Sequence, residues 1–213
     1  MNFHGAGFDA HFNDKITLNL FRPDTSKEMR AMAVTDEKKE FFDLLKSGDT
    51  EACARLVEDN QKNIFGLAFR MTGNRDDAMD ITQETFVRAL ENIKRFRGDS
   101  LISTWLYTIA ANIARDFLRK SSKRRFVSTD DEILVGNSRS PLEELVEKDK
   151  RLFVRKTMMS LPPKTRAAFV LRFEKGLPIS EIAKALNKSE GTIKAQIHNA
   201  VYRIKTALEA QDG

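Results

Sequence analysis

From Thr35 onward, apolar residues recur at three- and four-residue steps, and no stretch alternates apolar with polar as a strand does; the pattern predicts an all-α protein. Thr35 caps a first predicted helix, DEKKEFFDLLKSG, with Phe41, Phe42, Leu44 and Leu45 inward and Gly48 ending it. Asp49 opens a second, through TEACARLVEDNQKNIFGLAFRMTG, where Leu56, Ile64, Leu67 and Ala68 keep the inward step. After a turn at Gly73 and Asn74, the third, RDDAMDITQETFVRALENIKRF, turns Ala78, Ile81, Thr85, Ala89 and Ile93 inward. Its outer face carries Asp77, Asp80, Gln83 and Glu84. A fourth starts near Ser100 or Ser103 and ends in a cluster of five positive charges between Arg119 and Arg125.

Residues 126–139 then turn polar, with a Gly-Asn pair, before Ser140, Pro141, Leu142 and Glu143. Serine at the cap, proline at the first helical position and glutamate at the third make a strong helix start. The organisation expected is therefore two small helical domains, 35–119 and 140–213, joined by a flexible linker at 120–139. They are preceded by an aperiodic arm over 1–34, in which Met29 and Met32 are alternative starts.

Within the second domain, Pro178 and Ser180 start a short helix containing Ile182, Ala183 and Leu186. Asn187 and Lys188 form a break, since asparagine tolerates the left-handed backbone a tight turn needs. Ser189 caps a longer helix with Ile193, Ile197, Val201 and Ile204 inward, and Ala183 is small where the two helices cross. This is a helix-turn-helix pattern, whose second helix can enter a major groove. The outward candidates on that helix are Thr192, Lys194, Ala195, Gln196, His198 and Asn199. Gln196 and Asn199 suit an adenine edge, and Lys194 suits a guanine or a phosphate.

Charge agrees with that reading. The whole chain is +5, whereas Lys164 to Lys205 alone holds nine Lys/Arg against three Glu, a local balance of +6. A polyanion is the partner such a balance favours. The fourth helix sets Trp105 and Tyr107 beside its basic end, pairing stacking platforms for unstacked bases with phosphate neutralisation. A core role for both aromatics stays open. One cysteine, Cys53, leaves no internal disulfide and fits a reducing compartment. No apolar run approaches the roughly 18–20 residues a membrane span needs, and no signal peptide is visible, so a cytoplasmic protein without membrane insertion is expected. Three scattered histidines, no Gly-rich phosphate loop and no convergent acid/base set argue against an enzyme, a metal centre or a cofactor.

Three of these segments together, over roughly residues 36–209, resemble the bacterial sigma factors of the sigma-70 family, specifically the extracytoplasmic-function group. DDAMDITQETFVRAL resembles the helix that docks on the β′ coiled coil of core RNA polymerase, which implies that role for Asp77, Asp80, Gln83, Glu84 and Phe86. FRGDSLISTWLYTIAANIARDFLRK resembles the part that melts and reads the −10 element. The resemblance implies a loop of Phe96, Arg97, Gly98, Asp99 and Ser100 that accepts a flipped base. Asn112 and Trp105 would lie beside it, with Arg119, Lys120, Lys123, Arg124 and Arg125 on upstream phosphates. LPPKTRAAFVLRFEKGLPISEIAKALNKSEGTIKAQIHNAVYRIK resembles region four, which reads the −35 element and contacts the β flap.

Two departures stand out. Leu101, Ile102 and Ser103 follow the loop where the family often has aromatics, which implies either a different −10 preference or an aromatic contribution from Phe96 and Trp105 instead. Ala195-Gln196 and Asn199 stand where bulkier or more basic residues are common, which shifts −35 affinity toward phosphates and DNA shape. The resemblance implies a promoter-recognising initiation factor, held in check by an anti-sigma protein. The competing reading is a stand-alone helix-turn-helix regulator, which gives no reason for the acidic face of the third helix.

Overall fold

The computed structural model describes residues 36–98, 100–121 and 153–210. The first half is built from α1 (Asp36–Ser47), α2 (Thr50–Thr72), α3 (Arg75–Asn92), a 3-10 turn (Ile93–Arg95) and α4 (Ile102–Ser121). The second holds a helical run α5 (153–160), then α6 (Pro163–Phe173), α7 (Ile179–Leu186) and α8 (Glu190–Glu209). No strand occurs among the described residues. Thr35, the 1–34 arm, Ser140–Glu143 and all of the expected linker but Lys120 and Ser121, which close α4, lie outside them.

The helix ends follow the residues that the sequence offers. Asp49 caps α2 by accepting from the Ala52 N–H at 2.9 Å, and Asn74 caps α3 by accepting from the Asp77 N–H at 3.0 Å. Between them Gly73 sits at φ +74°, where its N–H returns to the Phe69 carbonyl. A Cβ there would also stand 2.9 Å from the Met159 sulfur, so glycine meets both a backbone and a packing demand.

α2 is the central helix of the first half. Leu56, Ile64, Leu67 and Ala68 are buried as expected, against α3 and α4. From α3, Ala78, Ile81, Thr85, Ala89 and the following Ile93 point inward; Thr85 is tolerated there because its hydroxyl donates to the Ile81 carbonyl at 2.6 Å. In α1, Leu45 is buried and Phe41 and Phe42 pack on the core, but Leu44 faces solvent. Four neighbouring apolar positions exceed what one helical face can bury, and Leu44 is the one left over.

In the second half Asn187 is the only non-glycine residue with positive φ among those described, at 51°, and it ends α7 as the pattern required. Asn187→Ala is expected to lower stability by about 1 kcal/mol, and Asn187→Gly by no more than a few tenths, since alanine carries the left-handed penalty and glycine does not. Paired urea titrations of the three chains measure it. Ser189 caps α8, its Oγ accepting from the Thr192 N–H at 3.2 Å, and Ile193, Ile197, Ala200 and Ile204 are buried beneath.

The two helical domains pack against each other. α4 packs against both α6 and α7, α2 packs against α6, and one continuous apolar core runs through both halves. A buried arginine explains part of it. Arg166 in α6 is 5% exposed and hydrogen-bonds the carbonyls of Met71, Met159 and Leu161, the last at 3.1 Å.

Candidate nucleic-acid interface

The candidate face of the helix-turn-helix points outward. Thr192, Lys194, Ala195, His198 and Asn199 on α8 are exposed, on a helix whose first turn is pinned by Ser189 and whose opposite face is buried. Gln196 departs from expectation: it is half-buried, and its Oε1 is enclosed without a hydrogen-bond partner among the described residues. Tyr202, one turn beyond His198, is 62% exposed. Its place on the outer face follows from the helical step, but sequence reasoning passed over it because the inward residues were sought first.

Around the loop between the 3-10 turn and α4, the aromatics turn toward the core. Phe96 is 5% exposed, with its ring 5.2 Å from Phe42 and 5.2 Å from Trp105. Tyr107 is buried, and Trp105 is half-buried against the core. Phe96, expected in the base-accepting loop, is packed in the core beside that loop. The exposed side of the loop consists of Arg97, Gly98 at φ +80°, and Leu101 at 45% exposure; Ser100 is half-buried. Arg119 and Lys120 are exposed at the end of α4. Asp99, Lys123, Arg124 and Arg125 lie outside the described residues.

Asn112 is half-buried on α4, and its side-chain amide donates to the Ala185 carbonyl of α7 at 3.1 Å. Elsewhere on α4, the Lys175 ammonium stands 5.1 Å from the centre of the Tyr107 ring.

The outer face of α3 is acidic, as expected. Asp80 and Gln83 are exposed, Asp77 and Glu84 are half-buried, and Glu84 pairs with Arg88 at 2.6 Å. Burial, then the neighbouring charges of Asp80 and Asp76, push the Asp77 carboxyl above the usual aspartate range. Phe86 is buried in the core, so it supports the face from behind instead of forming part of it. Met79 and Val87 stand exposed on this helix at 46% and 51%. Neither belongs to the expected docking set, although two apolar side chains off the inward step are a legible signal.

Among the described residues no group of three or more His, Cys, Asp or Glu side chains forms a metal cage, and no helix is long and apolar enough to cross a membrane.

A family model described as Sigma-70 region 2 matches residues 56–124, and one described as Sigma-70, region 4 matches residues 151–204. ECF RNA polymerase sigma factor SigW of Bacillus subtilis is 33% identical over 175 residues, which cover 77% of this chain and 92% of that one. RNA polymerase sigma-H factor of Pseudomonas aeruginosa is 30% identical over 187 residues, covering 84% and 97%. Among solved structures, CnrH in complex with the cytosolic domain of CnrY shares the fold with a TM-score of 0.60 at 23% identity, covering 82% of this chain and 99% of that one. The sigma factor RpoE from Bartonella quintana, in complex with the anti-sigma factor NepR, does so at 0.58 and 20%, covering 73% and 96%.

Proposed function

The chain belongs to the extracytoplasmic-function branch of the sigma-70 family, and from that membership we propose how its surfaces divide the work of a promoter-recognising initiation factor. The family consists of non-enzymatic transcription factors that bind core RNA polymerase and promoter DNA. No catalytic residue and no cofactor are assigned here, and the site of action is the cytoplasm.

The −35 element is read by α8. Lys194, His198 and Asn199 reach base edges or phosphates, Thr192 and Ala195 fit the groove floor, and Gln196 joins them once its amide is freed. The exposed side of the loop before α4, with Arg97 and Gly98, takes the melted −10 strand together with Asp99, Ser100 and Asn112. The basic end of α4, with Lys123, Arg124 and Arg125, holds phosphates upstream. Trp105 supports this site from its place beside Phe96. Melting is driven by capture of an unstacked base.

The outer face of α3 docks on the β′ coiled coil, with Asp77, Asp80, Gln83 and Glu84 supplying charge and Met79 and Val87 apolar contact. Region four meets the β flap. The two similar solved chains are bound, respectively, to the cytosolic domain of CnrY and to an anti-sigma factor; an anti-sigma protein is inferred as the regulator of this chain too.

The observation that carries the reading is the order of surfaces along one chain: an acidic helix face, a loop and basic helix end for an opened strand, then a groove-entering helix. A basic partner favours ionised Asp77, so its carboxyl titrates lower in the complex than in the free chain. Affinity is full above the raised value of the free chain and is lost as pH falls through it. Titration of labelled chain with core polymerase at successively lower pH should show affinity falling toward the acid end, and less so for Asp77→Asn. No association at any pH would refute the docking role.

A further inference from the structure

We propose that Tyr202 is a positioning residue of the −35 contact: its phenol hydroxyl donates to a backbone phosphate where α8 leaves the major groove, and so fixes the register in which the helix lies. The proposal rests on the −35 role given to α8 above.

Ile193, Ile197, Ala200 and Ile204 mark the buried side of α8. At about 100° per residue, the line opposite those four runs through Gly191, Ala195 and Tyr202, with His198 and Asn199 flanking it. The first two members of that line are small. Ala195 projects only a methyl, and a Cβ added at Gly191 would meet the Ser189 Oγ at 3.9 Å, an ordinary contact, so no packing demand among the described residues requires glycine there. The start of the outer face is therefore free to approach base edges closely. Tyr202 is the large side chain of the same line, two turns beyond Ala195 and 62% exposed. Single exposed aromatics are common on protein surfaces, but this one stands at the centre of the candidate reading face.

Its position along the helix decides what it meets. Tyr202 lies thirteen residues beyond the Ser189 cap, about 20 Å along the axis, whereas a major groove is about 12 Å wide. With the first turns of α8 on base edges, as in helix-turn-helix docking, the turn of Tyr202 has reached the phosphate wall. Helical side chains lean toward the N-terminus, which carries the phenol back toward the groove edge.

The local chemistry suits a phosphate. From His198 to Lys205 there are two Lys/Arg and no carboxylate. Arg203 is exposed beside Tyr202, and Lys205 is exposed one turn on, paired with Glu209 at 3.8 Å. Cations attract a phosphate from many positions, whereas a hydroxyl must point at it. Tyr202 thus adds direction to the attraction, and contacts of this kind place a helix without reading sequence.

Holoenzyme assembled with bacterial core polymerase, from the parent chain and from Tyr202→Phe, Tyr202→Arg and Asn199→Ala, tests the assignment. Each selects duplexes from a library randomised around −35, and anisotropy then measures its binding of the parent-selected duplex at several salt concentrations. Tyr202→Phe removes only a hydroxyl from an exposed side chain, so the fold is not at risk.

Tyr202→Phe should select the parent sequence, bind about five- to tenfold more weakly and keep the parent salt dependence, since one neutral donor is lost. Tyr202→Arg should recover affinity with a steeper salt dependence. A methylphosphonate at one phosphate bordering the selected segment should weaken the parent chain but not Tyr202→Phe. Unchanged affinity in Tyr202→Phe, or equal sensitivity of both chains at every phosphate, would overturn the phenol contact, and a changed selected sequence would move the phenol to a base. Loss of affinity or sequence choice in Asn199→Ala would leave α8 as the reading helix in those cases. No change in any variant would overturn the −35 role of α8 itself.

Discussion

Truncating Leu67 to alanine is expected to destabilise the full chain by about 3–4 kcal/mol. The side chain has no solvent exposure, and it sits in the middle of α2, the helix against which α3, α4 and α6 all pack. Its loss removes the transfer free energy of the deleted carbons and leaves a cavity that four helices cannot close by moving together. An isolated core leucine beside a single neighbour would relax more and cost less. The loss is a large share of the roughly 5–15 kcal/mol a folded domain has. Because α2 belongs to both interfaces, both halves should melt in one transition at lower denaturant. Urea unfolding followed by far-ultraviolet dichroism gives the value. A change below about 1 kcal/mol would mean that the packing around Leu67 is looser than described.

The second large effect falls on Asn112. If its amide reads a captured base, Asn112→Ala should lower initiation on duplex promoters roughly 5- to 150-fold, since a two-point amide–base contact is worth about 1–3 kcal/mol. The same amide donates to the Ala185 carbonyl of α7 in the free chain. The loss should persist on a template opened beforehand over the −10 region, where melting costs nothing and only the contact remains. Binding to core polymerase should be unchanged, because α3 is untouched. Wild-type initiation from Asn112→Ala would remove this residue from the reading site.

Much of this architecture is legible in the sequence because it is local. Asp49, Asn74 and Ser189 cap the helices that follow them, Gly73 and Asn187 take the left-handed positions, and the inward steps of α2, α3 and α8 are buried residue by residue. The outward face of α8 is legible for the same reason, since a capped amphipathic helix has only one face to spare.

What sequence reasoning missed is non-local. Phe96 looks like a loop aromatic until the chain turns it under α4 against Phe42, a residue 54 positions earlier. Arg166 counts as one more positive charge in a basic stretch, yet it is buried between the halves against the carbonyl of Met71, 95 residues earlier. One signal was available: an arginine followed by Ala167, Ala168, Phe169 and Val170 stands in an apolar run where a solvated charge does not belong. Glu174, four residues beyond that run, gave no comparable sign, because its burial depends on Arg70 arriving from α2.

The most direct test of the central claim is run-off transcription by bacterial core polymerase on a library of promoter-like duplexes, with and without this chain. Initiation from a selected subset, with shared sequence at −35 and −10, that depends on the added chain is the predicted result. No stimulation across the library, with tight and specific duplex binding by the chain alone, would contradict it.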